Sequence, residues 1–179
     1  MINDIIFETE RLIVRLFRES DREGFSRLNQ NSNVMRYFPS PLSAQQSNDM
    51  IDELQRRQEK NGYTFWATER KEDNAFLGFV GLNKTGDNMP FPPSVEIGWR
   101  LDEDFWGKGY ATEAAHGALE FAFTTLKAEE VISFTAEINE PSQKVMQRIG
   151  MKHAGEFFDH PALEDGHPLK RHILYRIQP

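Results

Sequence analysis

Residues Ile5 to Phe17 are rich in β-branched and long apolar side chains, and Leu12, Val14 and Leu16 alternate with Arg11, Ile13 and Arg15. Alternation with period two predicts a strand. Ser20 and Asp21 offer N-caps to a helix that shows Phe25 and Leu28 on one face. After the breaks at Pro39 and Pro41, Ser43 opens a second helix that runs to about Lys60. Its apolar stripe is Met50, Ile51 and Leu54, and Asn61-Gly62 ends it. Strands are predicted at Tyr63–Arg70, Phe76–Asn83 and Ser94–Leu101. A long helix follows over Gly109–Leu126, where Ala111, Ala115, Ala118, Ala122 and Leu126 recur every three or four residues. Val131–Ile138 reads as a strand and Pro141–Ile149 as a short helix stopped by Gly150. Lys152–Phe158 and Leu169–Ile177 read as final strands.

The predicted order is therefore β-α-α-β-β-β-α-β-α-β-β. Hairpins joined by one long crossover helix predict an α/β protein with a mixed, largely antiparallel central sheet flanked by helices. No repeat, low-complexity tract or linker divides the 179 residues, so a single domain over residues 1–179 is expected. Apolar residues make up 39 % and charged residues 27 %, an ordinary globular balance. The net charge of -7 argues against a nucleic-acid partner, which needs a concentrated basic surface. No apolar run approaches the roughly 18 residues that span a bilayer, so no membrane partner is expected. Residues 1–10 lack the basic start and apolar run of a secretory signal, which makes the cytoplasm the default expectation. The chain has no cysteine, so disulfides, a thiol nucleophile and thiolate metal sites are excluded.

Candidate chemistry concentrates in one segment. The strand ending Glu96-Ile97-Gly98-Trp99-Arg100-Leu101 leads to Trp106-Gly107-Lys108-Gly109-Tyr110-Ala111-Thr112, which opens the long helix. The first N–H groups of a helix lack internal partners and face whatever precedes it, favouring an anion. Gly107 and Gly109 remove Cβ atoms that would keep a phosphate from the backbone, and Lys108 adds positive charge. The same glycines could equally serve only to make a tight turn. Within the strand, Val95, Ile97, Trp99 and Leu101 share one face, and Glu96, Gly98 and Arg100 the other. Glu96 beside Gly98 fits a base facing a cleft with room for an acceptor; a solvated strand face is the alternative.

These segments together resemble the GCN5-related N-acetyltransferases, and in particular the branch of ribosomal-protein N-terminal acetyltransferases. The resemblance runs from Thr9-Glu10-Arg11-Leu12-Ile13-Val14-Arg15 through Glu96-Ile97-Gly98-Trp99 and Trp106–Ala114 to Asn139, Ser142 and Gly150-Met151. It implies an N-acetyltransferase that moves an acetyl group from acetyl-CoA, as co-substrate and without a metal, to an amine acceptor. That acceptor would be a protein N-terminus or a small amine, attacking directly. Main-chain groups of Trp99 and Leu101 would pair with the pantetheine arm. The loop headed by Trp106, with backbone N–H groups of Gly107, Lys108, Gly109, Tyr110, Ala111 and Thr112, would hold the pyrophosphate. Asn139 would contact the pantetheine, Glu96 would be the general base, and a homodimer is possible. Many members carry a tyrosine, the acid for the leaving thiolate, where this chain has Met146, which has no proton to donate. Ser142, beside the coenzyme, is the hydroxyl left for that role.

Other features weigh less. His160 and His167 flank a polar loop without familiar metal-ligand spacing. Tyr37-Phe38-Pro39 and Met89–Pro93 are candidate walls of an acceptor pocket, or simply core packing and a rigid turn. A dinucleotide-binding oxidoreductase would need a third glycine where Thr112 stands. A non-catalytic acyl-CoA sensor or subunit of a larger assembly is the other alternative.

Overall fold

The computed structural model describes residues 4–179. Its strands are β1 (Ile5–Glu8), β2 (Leu12–Arg15), β3 (Phe65–Arg70), β4 (Phe76–Lys84), β5 (Val95–Leu101), β6 (Val131–Ala136), β7 (Phe157–Asp159) and β8 (Arg171–Ile177). Its helices are α1 (Asp21–Gln30), α2 (Ala44–Asn61), α3 (Tyr110–Thr124) and α4 (Glu140–Arg148), with one 3₁₀ turn at Glu103–Phe105. All eight strands form one sheet in the order β1-β2-β3-β4-β5-β6-β8-β7. Every neighbouring pair is antiparallel except β5 and β6, which α3 connects as a parallel crossover. The expected mixed, largely antiparallel sheet flanked by helices is the observed architecture.

Two predicted strands differ from the observed ones. Residues 5–17 form a hairpin, because the polar stretch Thr9–Arg11 turns the chain. The Thr9 N–H donates to the Leu12 carbonyl at 2.9 Å, and the Leu12 N–H donates to the Thr9 hydroxyl at 3.1 Å. The expected strand over residues 152–158 is broken: Lys152 bridges Arg176, Gly155 at φ 74° bends the chain, and regular pairing begins only with β7 at Phe157. The second helix follows its sequence signals closely. Ser43 and Gln46 form a reciprocal capping box, and Gly62 closes the helix in the left-handed conformation at φ 79°. Ser20 occupies the N-cap of α1 but its hydroxyl makes no capping bond.

A separate core lies on each face of the sheet. Leu12, Val14, Trp66, Ile97 and Leu101 face α3, whose Ala114, Ala115, Ala118 and Ala122 are fully buried. Small side chains let that helix approach the sheet closely. Phe17, Phe25, Leu28, Ile51, Leu54 and Phe79 fill the opposite face beneath α1 and α2. Strand alternation delivers this division, with Ile97 turned to one core and its neighbours Glu96 and Gly98 to the other face.

Arg15 points into this second layer yet is only 2 % exposed. Its guanidinium donates to both carboxylate oxygens of Asp21, at 2.7 and 2.9 Å, and to Glu69 at 2.9 Å. Burial alone would lower its pKa; its hydrogen bonds to Asp21 and Glu69 outweigh that and raise it. The network fastens β2, α1 and β3 together. Arg15→Met removes the cation shared by Asp21 and Glu69 and leaves them the Arg18 N–H and the longer Arg18 contact at 3.3 Å, at a cost of about 3–5 kcal/mol. For a chain of this length each kcal/mol moves the midpoint by roughly 2–4 °C, so thermal denaturation should fall by on the order of 10 °C. A midpoint within a degree of wild type would show that the network contributes little.

Candidate active site

The site begins where β5 and β6 part. The parallel pair shares only Val95 with Val131 and Glu96 with Ile132. Beyond these the Ser133 hydroxyl donates to the Ile97 carbonyl at 2.8 Å, and no further pairing follows. Main-chain groups alternate sides along a strand. The Asp102 N–H donates toward β4, to Leu77, whereas the carbonyls of Ile97 and Leu101 accept from groups on the other side. Trp99 and Leu101 therefore turn their main-chain polar groups into the gap left by β6. The Leu101 carbonyl already accepts from the Trp106 indole at 2.9 Å, which leaves its N–H and both groups of Trp99 open. An extended chain with its own donors and acceptors could fill this gap as an added strand.

The gap leads to the glycine loop. Gly107 and Gly109 have φ values of 72° and 80°, a region that L side chains rarely adopt. A Cβ at Gly107 would meet nothing within 4 Å, and one at Gly109 only the Arg11 guanidinium at 3.5 Å, so the space before the loop is open. No side chain caps α3, and its first helical bond runs from the Glu113 N–H to the Gly109 carbonyl at 3.0 Å. The N–H groups of Tyr110, Ala111 and Thr112 thus precede any internal partner and point outward. The Tyr110 side chain turns into the core and accepts from Arg70, so only its backbone serves the loop. Lys108 folds back onto the Asp104 carbonyl at 2.8 Å. Trp106 is 48 % exposed and stands as an open ring at the loop entrance.

Sequence patterns quoted Arg11 only as part of an opening strand; its position shows more. Its guanidinium donates to Glu113 at 2.6 Å and to the Lys108 carbonyl at 3.0 Å, and lies over the Tyr110 ring at 4.5 Å. Thr9 donates to the same Glu113 carboxylate at 2.5 Å. Burial alone would raise the Glu113 pKa, but these hydrogen bonds hold it below its usual value. The β1–β2 turn thus braces the loop from behind, across a hundred residues of sequence.

The gap and loop open into one cavity of about 1040 Å³. On the sheet face beneath α1 and α2, Glu96, Gly98 and Arg100 line it together with Phe38, Phe65 and Phe79. Burial raises the Glu96 carboxyl to about 7, although a hydrogen bond from Asn83 and the charge of Arg57 pull the other way. Asn83 donates to Glu96 at 3.2 Å and accepts from Arg57 at 3.1 Å, and Arg57 in turn donates to Glu53 at 2.9 Å. This relay fixes one carboxylate oxygen and leaves the other for the cavity. Gly98 does not make room for an acceptor as expected: the Phe65 ring lies 2.9 Å from the position a Cβ would take, so the glycine admits that ring. The cavity beside it is lined by Tyr37, Phe38 and Met50 and by Phe134, His160 and His172. Phe91 packs on Phe134 and Phe158 from outside the cavity lining.

Helix α4 closes the far side. Asn139 caps it, accepting from the Ser142 N–H at 3.3 Å and donating to Thr135 at 2.8 Å, so its amide is largely engaged in the fold. Ser142 lines the cavity, while Met146 is 1 % exposed and packs into the core below α3. The His160 and His172 rings lie 4.9 Å apart, tilted by 44°, and burial lowers both pKa values, that of His172 to about 4. Among the described residues no group of three His, Asp or Glu side chains is placed to hold a metal, and no helix is long and apolar enough to cross a membrane.

Residues 11–152 match the family model described as "Acetyltransferase (GNAT) domain". "Uncharacterized N-acetyltransferase YnaD" of Bacillus subtilis is 30% identical over 149 residues, covering 83% of this chain and 84% of that protein. The solved structure of a GNAT-family acetyltransferase from Bacillus anthracis superposes with a TM-score of 0.78 at 26% identity, covering 96% of each chain. Mycobacterium smegmatis RimJ, solved in complex with CoA-disulfide, shares the fold with a TM-score of 0.74 at 20% identity, covering 93% of this chain and 81% of that one. A split sheet, an uncapped helix facing an open glycine loop and a match over most of the sequence agree: the chain belongs to the GNAT family of acetyltransferases.

Proposed function

We propose that this protein transfers an acetyl group from acetyl-CoA to a primary amine, on a protein N-terminus or a small molecule, by direct attack. One observation carries the reading: a single cavity joins the β5–β6 gap and the free N–H groups of α3 to the Glu96 carboxylate. The first two features suit a pantetheine arm and a pyrophosphate, and the third suits an amine. The CoA ligand of the RimJ structure, a protein of the same fold, supports it.

Bound acetyl-CoA supplies the thioester, whose carbon–sulfur bond breaks as the amine forms the new carbon–nitrogen bond. The chain's residues then have separate tasks. Trp99 and the Leu101 N–H offer strand-like hydrogen bonds to the arm, and Gly107, Lys108, Gly109, Tyr110, Ala111 and Thr112 offer the phosphate their backbone. Trp106 covers the entrance. Glu96 takes the proton that an alkyl ammonium must lose before its nitrogen has a lone pair. A carboxyl near 7 is poised for this at neutral pH, where a carboxylate at its ordinary value would be a weak base. Ser142 supplies a hydroxyl to the departing sulfur, and Asn139 holds Ser142 in place by capping its helix. Coenzyme release, followed across a panel of amines with acetyl-CoA, tests the assignment; tight CoA binding without release for any amine would favour a sensor.

Three changes separate these roles. Gly109→Val forces a branched side chain into φ 80°. It should lower CoA affinity at least tenfold, about 1.4 kcal/mol, in calorimetry on the folded variant; equal affinity would place the phosphate elsewhere. Ser142→Ala should slow turnover by roughly one to two decades, the size of a lost transition-state hydrogen bond or less, with CoA affinity unchanged. An unaltered rate under rate-limiting chemistry would remove the serine from the mechanism.

Glu96 is active as its carboxylate, so kcat/KM should rise as pH increases through about 7, where the proton leaves. Glu96→Gln should keep CoA binding, erase that limb and lower neutral-pH turnover by roughly two decades. Partial recovery is expected at high pH, where the amine deprotonates unaided. Wild-type turnover of the glutamine variant with a high-pKa amine at neutral pH would mean that another group is the base.

A further inference from the structure

Arg100 is a charged side chain enclosed by neutral ones. Its guanidinium lies 4.2 Å over the Phe38 ring and 5.2 Å from the Phe79 ring. Both of its hydrogen bonds leave from Nη1, to the Asn29 amide oxygen at 2.7 Å and weakly to the Met50 sulfur at 3.9 Å. Nε is shut off from solvent and has no partner. The contrast with Arg15 is direct, since that guanidinium is matched by two carboxylates. Glu103, three residues on, is spent on Asn31 and Asn33. A guanidinium taken out of water costs several kcal/mol unless a counter-charge and hydrogen bonds offset it. Here burial lowers its pKa to about 10.

The unused edge is the one that matters chemically. Nε and Nη2 point the same way and form the fork that grips a carboxylate through two parallel hydrogen bonds. Arg100 also lines the acceptor side of the cavity, on the same strand face as Glu96 and four residues from it. At about 3.3 Å per residue the two Cα atoms are roughly 13 Å apart. That spacing exceeds the separation of amine and carboxylate within one α-amino acid. It suits a longer acceptor, whose amine reaches Glu96 while an acidic group reaches Arg100.

Resting on the acetyl-transfer reading above, we infer that the acceptor carries a carboxylate several bonds from its amine and that Arg100 is the residue that binds it. The Phe38 and Phe79 rings pack against the guanidinium, and Asn29 holds Nη1. With Nη1 held in this way, the Nε–Nη2 edge is the part of the guanidinium not used within the fold. The net charge of -7 makes the rest of the surface poor at attracting such a molecule, so selectivity would come from this one enclosed cation.

The test uses paired tripeptide amides, Ala-Glu-Ala with Ala-Gln-Ala and Ala-Ala-Glu with Ala-Ala-Gln, alike except for the carboxylate. Calorimetry in the presence of CoA measures binding, and coenzyme release from acetyl-CoA measures transfer. Wild type should bind at least one glutamate peptide tenfold or more tightly than its glutamine partner, with the preference appearing in KM and little in kcat. Arg100→Met should abolish the ratio by weakening the glutamate peptides down to the level of their glutamine partners, with CoA affinity unchanged. Arg100→Lys, which keeps the charge without the fork, should retain only part of it, and reports on the site if the methionine variant does not fold. Equal or undetectable binding of both members of each pair by wild type would overturn the inference. So would an equal loss for both members in the variants. A binding preference with no transfer to any peptide would leave the Arg100 site standing and count against acetyl transfer instead.

Discussion

Strands β5 and β6 run parallel for two registered positions and then separate. Backbone groups that a continuous sheet would consume are left facing a gap, and such groups stay unpaired inside a fold only where something else can reach them. The rest of the site is arranged around that opening. The Ser133 hydroxyl seals its closed end, Trp106 reaches across its open end, and α3 begins beyond it with uncapped N–H groups. Parallel pairing requires a long crossover, and here the crossover is the helix whose N-terminus faces the cavity.

Alternation along β5 divides the labour between the faces. Ile97 and Leu101 anchor the strand in the core below α3, so Glu96 and Arg100 must look the other way, into the cavity. Both are ionisable groups in a low-dielectric setting, and burial moves each toward its neutral form. Their surroundings differ. Glu96 receives a hydrogen bond through Asn83 from an arginine held on α2, while Arg100 receives no carboxylate at all. Buried charge elsewhere in the molecule, at Arg15, is fully matched and holds helix to sheet. The unmatched charges belong to the cavity.

Much of this was legible in the sequence. Period-two runs located β3, β4, β5, β6 and β8 to within a few residues, and the capping residues Ser43 and Gly62 gave the ends of α2, because these signals depend on near neighbours alone. The glycine loop and the two faces of β5 were legible for the same reason. The hairpin at Thr9–Arg11 was not, since its polar turn sits within a run otherwise apolar enough for one strand. Nor did residues 152–158 form the expected full strand, because pairing depends on where Gly155 sends the chain.

Sequence by itself determined the element types, the acetyltransferase resemblance and which residues could carry charge or approach a phosphate. Local periodicity and the absence of cysteine were enough for that. Only the tertiary structure decided that Arg11 braces the glycine loop from a hundred residues away and that Phe65 occupies the space above Gly98. It also decided that Met146 is core while Ser142 faces the cavity, and that Arg100 is enclosed without a counter-ion. Each of these depends on which distant atoms surround a side chain. Desolvation and pairing are set by that surrounding, and no spacing along the chain encodes it.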